Sequence, residues 1–107
     1  MAHKPVAALE LKLETVKGSE ETVIRCIGKM IFMNCGALQT TVRDLIPETK
    51  RLVLDLAGVT YFDSFGLGVL VSVYLSARRR NCQLRIINVN EQGQQLLRVT
   101  NLTYLLE

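Results

Sequence analysis

The chain has 107 residues, of which 49% are hydrophobic and 21% charged, with only two prolines. A domain of that size and balance buries about two-thirds of its unfolded surface, which excludes a disordered chain and an array of large domains. The formal net charge of +3 is too mild to imply a nucleic-acid partner unless the charges cluster.

Met1-Ala2-His3-Lys4-Pro5 lacks the apolar stretch and small-residue cleavage site of a secretory signal. Residues 1–8 are expected to form a flexible amino-terminal segment ahead of one domain over 9–107. Leu9, Leu11 and Leu13 alternate with Glu10, Lys12 and Glu14, the period of a strand from Leu9 to Val16 with one face on a core. The polar break Lys17-Gly18-Ser19-Glu20-Glu21 leads to a second run, Thr22 to Ile27, so the two read as an antiparallel hairpin closed off by Gly28. Lys29 to Met33 has no clear period. Phe32 and Met33 fit a contact patch beside the next helix and ordinary core equally well.

Asn34 is a suitable cap for a helix whose Leu38, Val42, Leu45 and Ile46 fall at i, i+4, i+7 and i+8, and Pro47 is expected to end it. After Lys50 and Arg51, the nearly continuous apolar run Leu52-Val53-Leu54-Asp55-Leu56 predicts a strand covered on both faces, with helices on each side. Ala57 to Phe62 reads as a connecting loop. Asp63 and Ser64 are both capping residues, and the helix after them is apolar nearly all round through Leu67, Val69, Leu70, Val71, Val73, Tyr74, Leu75 and Ala77. The uncharged stretch Phe65 to Ala77 contains Gly66, Gly68, Ser72 and Ser76 and falls short of the ~20 apolar residues that cross a bilayer, so a buried helix and no membrane insertion are expected. Arg78, Arg79 and Arg80 oppose the negative end of its dipole, and Asn81 supplies a left-handed exit. Leu84 to Val89 is a second buried strand reached by a right-handed crossover. Asn90 and Glu91 start a helix over Gln94 to Thr100 with Leu96 and Leu97 inward, and Leu102 to Leu106 is a short edge strand. The expected class is α/β, a mixed sheet flanked by helices in the order β-β-α-β-α-β-α-β.

Asp63-Ser64-Phe65-Gly66-Leu67-Gly68 sits where a buried strand gives way to a helix, the usual place for a site in an open α/β sheet. A phosphate on Ser64 would meet unpaired backbone N–H groups and the positive end of the dipole. Gly66 and Gly68 would let another protein's backbone approach. The residues alone favour a plainer account, in which Ser64 caps the helix and the glycines let it lie near the sheet. A serine hydrolase is disfavoured, because Phe62-Asp63-Ser64-Phe65-Gly66 lacks the first glycine of Gly-x-Ser-x-Gly and the only histidine, His3, is terminal. Gly66-Leu67-Gly68 lacks the third glycine of a dinucleotide loop, and no Gly-Lys-Ser or Gly-Lys-Thr is present. Asp55 and Asp63 make a conceivable carboxylate pair, but Asp55 is better placed to bond loop backbone. Cys26, Cys35 and Cys82 form no Cys-x-x-Cys pair and suit reduced thiols of a cytoplasmic protein, so no metal or cofactor is expected. The arginine run lacks interleaved aromatics and reads as a solvated helix end, with no direct nucleic-acid contact.

Leu52 to Leu56, Val59 to Phe62 and Asp63-Ser64-Phe65-Gly66-Leu67-Gly68-Val69-Leu70 together resemble a STAS domain, the module of sulfate transporters and bacterial anti-sigma factor antagonists. The resemblance continues through the arginine-ended helix, the strand Leu84 to Val89 and Leu96-Leu97-Arg98-Val99-Thr100-Asn101-Leu102, covering about the whole chain from Leu9. It implies a non-enzymatic partner switch. The serine after the aspartate of the loop, here Ser64, would be the phosphate acceptor. Unmodified, the domain would bind an anti-sigma factor serine kinase through residues 63–68 and free a sigma factor; phosphorylation would end that contact. The resemblance leaves a second role open, a STAS subunit or scaffold of a transporter ATPase or sensor complex that uses no serine phosphorylation. Two departures from the family stand out: Gly28-Lys29-Met30-Ile31 replaces Gly-Glu-Leu-Asp, and Phe65 replaces the second serine of the loop. Many relatives continue into a further helix where this chain stops at Glu107, which reads as a minimal or truncated form.

Overall fold

The structure, a computed structural model, describes residues 10–106. The expected segment 1–8 and the first residue of the expected first strand lie outside the described residues. Strands β1 (Leu11–Lys17) and β2 (Glu21–Met30) form the antiparallel hairpin, paired from Leu11 opposite Gly28 to Lys17 opposite Thr22. Helix α1 (Gly36–Leu45) and a 3-10 turn (Ile46–Glu48) lead to β3 (Arg51–Phe62), parallel to β2. Helix α2 (Ser64–Arg79) leads to β4 (Gln83–Ile87), parallel to β3, and α3 (Glu91–Val99) and a 3-10 turn (Thr103–Leu106) follow. The sheet order β1-β2-β3-β4 makes the mixed α/β architecture that the order of elements implied.

That strand order decides where the helices lie. Two right-handed crossovers that move the same way across a sheet place both helices on one face. The register puts Leu11 and Leu13, Thr22, Ile24 and Cys26, Leu52, Leu54 and Leu56, and Leu84 and Ile86 on a common face. Most of these join one core cluster with Leu38 and Val42 of α1, Leu70 and Val73 of α2, Leu97 of α3 and Leu105. The opposite face carries Glu14, Arg25, Asp55 and Arg85 among Val23, Ile27 and Val53. The expectation of helices on each side is therefore corrected. Val53 interrupts a true alternation, and its burial beside strand neighbours disguised a one-sided strand as a two-sided one.

Other boundaries differ for local reasons. Ala57 to Phe62 is the second half of β3 and not a loop, because β2 runs past Gly28 to Met30 and supplies Ile27 opposite Gly58, Gly28 opposite Val59, and Met30 opposite Phe62. Register shifts after Arg25 and after Gly28 accommodate extra β3 residues as bulges. Gly28 does not close β2. It holds a φ of 125° inside it, where a side chain would strike the Glu10 carbonyl oxygen. Asn34 precedes the residue at the α1 cap, Cys35, and its Oδ1 accepts a bond from Ile31 N–H, shaping the turn that enters the helix.

The expected strand Leu102 to Leu106 is absent, and Thr103–Leu106 forms a 3-10 turn in its place. Asn101, at φ 60°, reverses the chain as Leu102 N–H donates to Leu97 and Asn101 N–H to Arg98. Leu102 and Leu105, three apart, then face inward together, which an alternating strand would forbid. The same exit at Asn81, φ 59°, ends α2 as expected: Cys82 N–H donates to Ala77 and Asn81 N–H to Arg78. Among the described residues no helix is long and apolar enough to cross a membrane.

Candidate functional site

The last residues of β3 and the first turn of α2 meet the end of β2. Asp63 is the α2 cap, in extended conformation, and its Oδ1 accepts the Gly66 N–H at 2.8 Å. Its Oδ2 accepts the Phe32 N–H at 3.1 Å, while its own N–H donates to the Met30 carbonyl at 3.1 Å. One carboxylate thus ties the helix to the turn that leaves β2. Capping falls to Asp63 alone, and Ser64, the first helical residue, is exposed with no hydrogen bond to its hydroxyl among the described residues.

The two glycines of the turn do different work. A Cβ on Gly66 would run into the Met30 carbonyl oxygen and lie 2.7 Å from its carbon, so Gly66 permits close contact between α2 and β2. A Cβ on Gly68 would meet nothing within 4 Å, and the residue is exposed. Leu67 is core, 5% exposed. Phe65 is 57% exposed, and its ring lies 4.7 Å from that of Phe32, which is 68% exposed. Met33, 71% exposed, extends this apolar surface. Phe32 and Met33 are exposed beside α1 and are not core.

The site has a second support that sequence reasoning missed. Gln92 closes on both backbone groups of Phe62: Oε1 accepts its N–H at 3.0 Å and Nε2 donates to its carbonyl at 2.9 Å. Asn90, the expected start of α3, accepts the Gly93 N–H and donates through Nδ2 to the Val59 and Thr60 carbonyls. The α3 entry therefore holds the end of β3 from the side opposite β2. An Asn-x-Gln spacing at a helix start signals only the cap, since the bonded residues lie 30 positions away.

Asp55 and Asp63 do not act as a carboxylate pair. Asp55 accepts from Asn88 Nδ2 and Ala57 N–H, as its position suggested, and those bonds with Arg25 nearby hold its carboxyl below the usual range. Asp63 accepts one backbone N–H on each carboxylate oxygen, from Gly66 and from Phe32, so its bonds serve the helix start and the β2 turn. Burial pushes the Cys35 thiol up to about 11, helped by the Asp63 charge. Burial, then Asp55, then Cys35 push Cys26 to about 12. The cysteines are buried free thiols, as expected, and behave as small apolar groups. No cluster of three metal-binding side chains occurs among the described residues.

Residues 11–106 match the family model of the STAS domain. Over 62 residues the chain is 36% identical to the anti-sigma-B factor antagonist of Listeria monocytogenes, a stretch covering 58% of this chain and 54% of that protein. The match spans about half the length of that relative. The fold superimposes on an anti-sigma factor antagonist from Mycobacterium paratuberculosis with a TM-score of 0.75 at 18% identity, covering 90% of this chain and 82% of the other. It also superimposes on the Bacillus cell fate determinant SpoIIAA in its phosphorylated form, with a TM-score of 0.70 at 14% identity, covering 91% and 88% of the two chains. At such identities these likenesses speak for the fold alone.

Proposed function

The chain belongs to the STAS domain family, and on that premise we propose that it is an anti-sigma factor antagonist whose docking surface centres on Ser64. The observation that carries the reading is the division of labour at the α2 start. Asp63 takes the cap, so Ser64 stands exposed with no bond to its hydroxyl among the described residues, next to the exposed Phe65 ring and the Phe32 ring packed on it. An open surface at Gly68 lets a partner approach the first turns of the helix. The domain acts in the cytoplasm as a binding module, with residues 63–68 as its contact loop and an anti-sigma factor serine kinase as its partner.

Phosphorylation of Ser64 is the switch in this reading. A phosphoryl group adds about −1.5 to −2 charge next to the fixed Asp63 carboxylate and amid apolar contact groups. Both neighbours oppose re-burial under a partner, so the complex dissociates. The test is incubation with the cognate kinase and ATP, followed by intact mass. Wild type gains one phosphoryl group, Ser64→Ala gains none and keeps its affinity, and Ser64→Asp binds weakly. Tight binding with no modification would reject the switch and leave the docking surface.

One observation favours the second role, a scaffold in a transporter or sensor complex. The end of β2 presents exposed Lys29 and half-buried Ile31 where the family often has acidic residues. Copurification with a transporter subunit in place of a kinase would select that role.

A further inference from the structure

The basic residues of the domain divide into two populations. Lys12, Lys17, Arg25, Lys50, Arg51 and Arg98 each lie within 4.0 Å of a carboxylate oxygen. Lys29, Arg43, Arg78, Arg79, Arg80 and Arg85 make no such ion pair among the described residues, and three of these six, the exposed Arg43, Arg79 and Arg80, share one place. These three are brought together by the fold: Arg43 from the last turn of α1, Arg79 from that of α2, and Arg80 from the cap after it. With Ser76 and Ile46 they line one cavity of about 240 Å³ between the two helix ends.

Completing the helix dipoles does not account for this arrangement. One cation near each carboxyl end meets that need, and α2 has Arg78 as well, which donates to the Tyr74 hydroxyl and lies over its ring. Guanidinium groups from two helices around one cavity repel each other, and the carbonyl ends nearby do not neutralise three full charges. Guanidinium is also the side chain best shaped to grip a tetrahedral or planar oxyanion through paired N–H donors.

We infer that the Arg43, Arg79 and Arg80 cavity is a binding site for a small phosphoryl-bearing anion. Three arginines lining one cavity match a multiply charged anion better than a single carboxylate, and Ser76 adds a hydroxyl donor. The cavity is bounded by two helix ends, which suits a compact ligand more than a flat polyanionic surface. A helix of 16 residues spans about 24 Å at 1.5 Å per residue. The cavity therefore lies at the end of α2 away from Ser64.

The experiment is isothermal titration of the full chain with inorganic pyrophosphate, then with inorganic phosphate. Variants Arg43→Gln and Arg79→Gln are compared with Arg98→Gln, whose residue pairs with Glu91 elsewhere. Saturable one-site binding, stronger for pyrophosphate, weakened roughly tenfold or more by either cavity variant and unchanged in Arg98→Gln is the expected result. The ligand-free melting temperature supplies a second readout. It is expected to hold or rise in Arg79→Gln as repulsion is relieved, whereas a purely structural arginine would lower it on removal. No saturable binding, or equal affinity in all variants, would overturn the proposal. So would capture by anionic phospholipid vesicles with no response to pyrophosphate, since the partner would then be a surface.

Discussion

Replacing Gly66 and Gly68 separately by alanine puts opposite demands on one helix turn. At Gly66 the new methyl would run into the Met30 carbonyl, with the carbon at 2.7 Å against an ordinary contact that starts at 3.4 Å. The obstruction is backbone of a central strand and cannot swing aside, so the start of α2 must move out by roughly 1 Å, an overpacking cost of about 1–3 kcal/mol. That movement also breaks the two bonds that Asp63 makes to the β2 end, at 3.1 Å each, worth about 1 kcal/mol apiece. Alanine's better helix propensity returns about 1 kcal/mol. The net loss is about 2–4 kcal/mol, a fall in melting temperature of roughly 10–25 °C for a domain of this size. At Gly68 no atom stands within 4 Å, so only the propensity gain remains and stability should hold or rise by up to about 1 kcal/mol. Urea unfolding of both variants gives the comparison directly. A Gly66→Ala protein within 0.5 kcal/mol of wild type would refute the close-contact reasoning. If residues 63–68 form the docking surface, Gly68→Ala should still bind its partner more weakly despite its stability.

Phe65→Ser and Phe32→Ser should each weaken partner binding by about 1–3 kcal/mol, as for an exposed aromatic anchor, while folding stability changes by less than ~0.5 kcal/mol; unchanged affinity in both would place the interface elsewhere. Gln92→Ala removes both side-chain bonds to Phe62 and should cost about 1–3 kcal/mol through groups left unsatisfied, with faster amide exchange at Phe62 as the local readout. Asp55 has a folded pKa below its unfolded value. Its contribution to stability is therefore present above the unfolded carboxylate range and lost as pH falls through the folded value. Asp55→Asn should flatten that part of the acid limb, and urea midpoints from neutral pH downward that stay parallel to wild type would contradict it.

The parts of this fold that were legible in sequence are those fixed within a few residues. The Leu11 and Leu13 alternation, the α1 stripe at Leu38 and Val42, the asparagine exit at Asn81 and the helix start at Asn90 depend on local period or capping chemistry, and each stands where expected. What was hidden depends on partners far along the chain. Ala57-Gly58-Val59-Thr60 looks like a break because bulges destroy the period of two, and only the far half of β2 makes it a strand. The cover of the sheet on one face follows from the order of strands, which Leu52 to Leu56 cannot reveal by itself. At the start of α2 the residue types offered two caps, and the structure gives the cap to Asp63 alone. Asp63 and Ser64 are equally good caps by residue type, and only Asp63 reaches both the Gly66 amide of the helix and, with its other oxygen, the distant Phe32 amide.

That choice also determines how a modification at Ser64 would act. Were Ser64 the cap, adding a phosphoryl group would remove a helix-stabilising bond, and the switch would work by loosening α2. Here the cap bond, the tie to the β2 turn and the Asp63 N–H bond to Met30 all belong to the neighbouring residue. Gln92 holds Phe62 on the other side without touching Ser64. The loop is thus braced from two directions, and the exposed Ser64 side chain carries none of the bracing. A phosphoryl group then changes the charge of the surface while the backbone beneath it stays in place. The modified domain should keep its amide exchange pattern and its melting temperature within a few degrees and lose only its partner. A loosened α2 amino terminus after modification would contradict this division of roles.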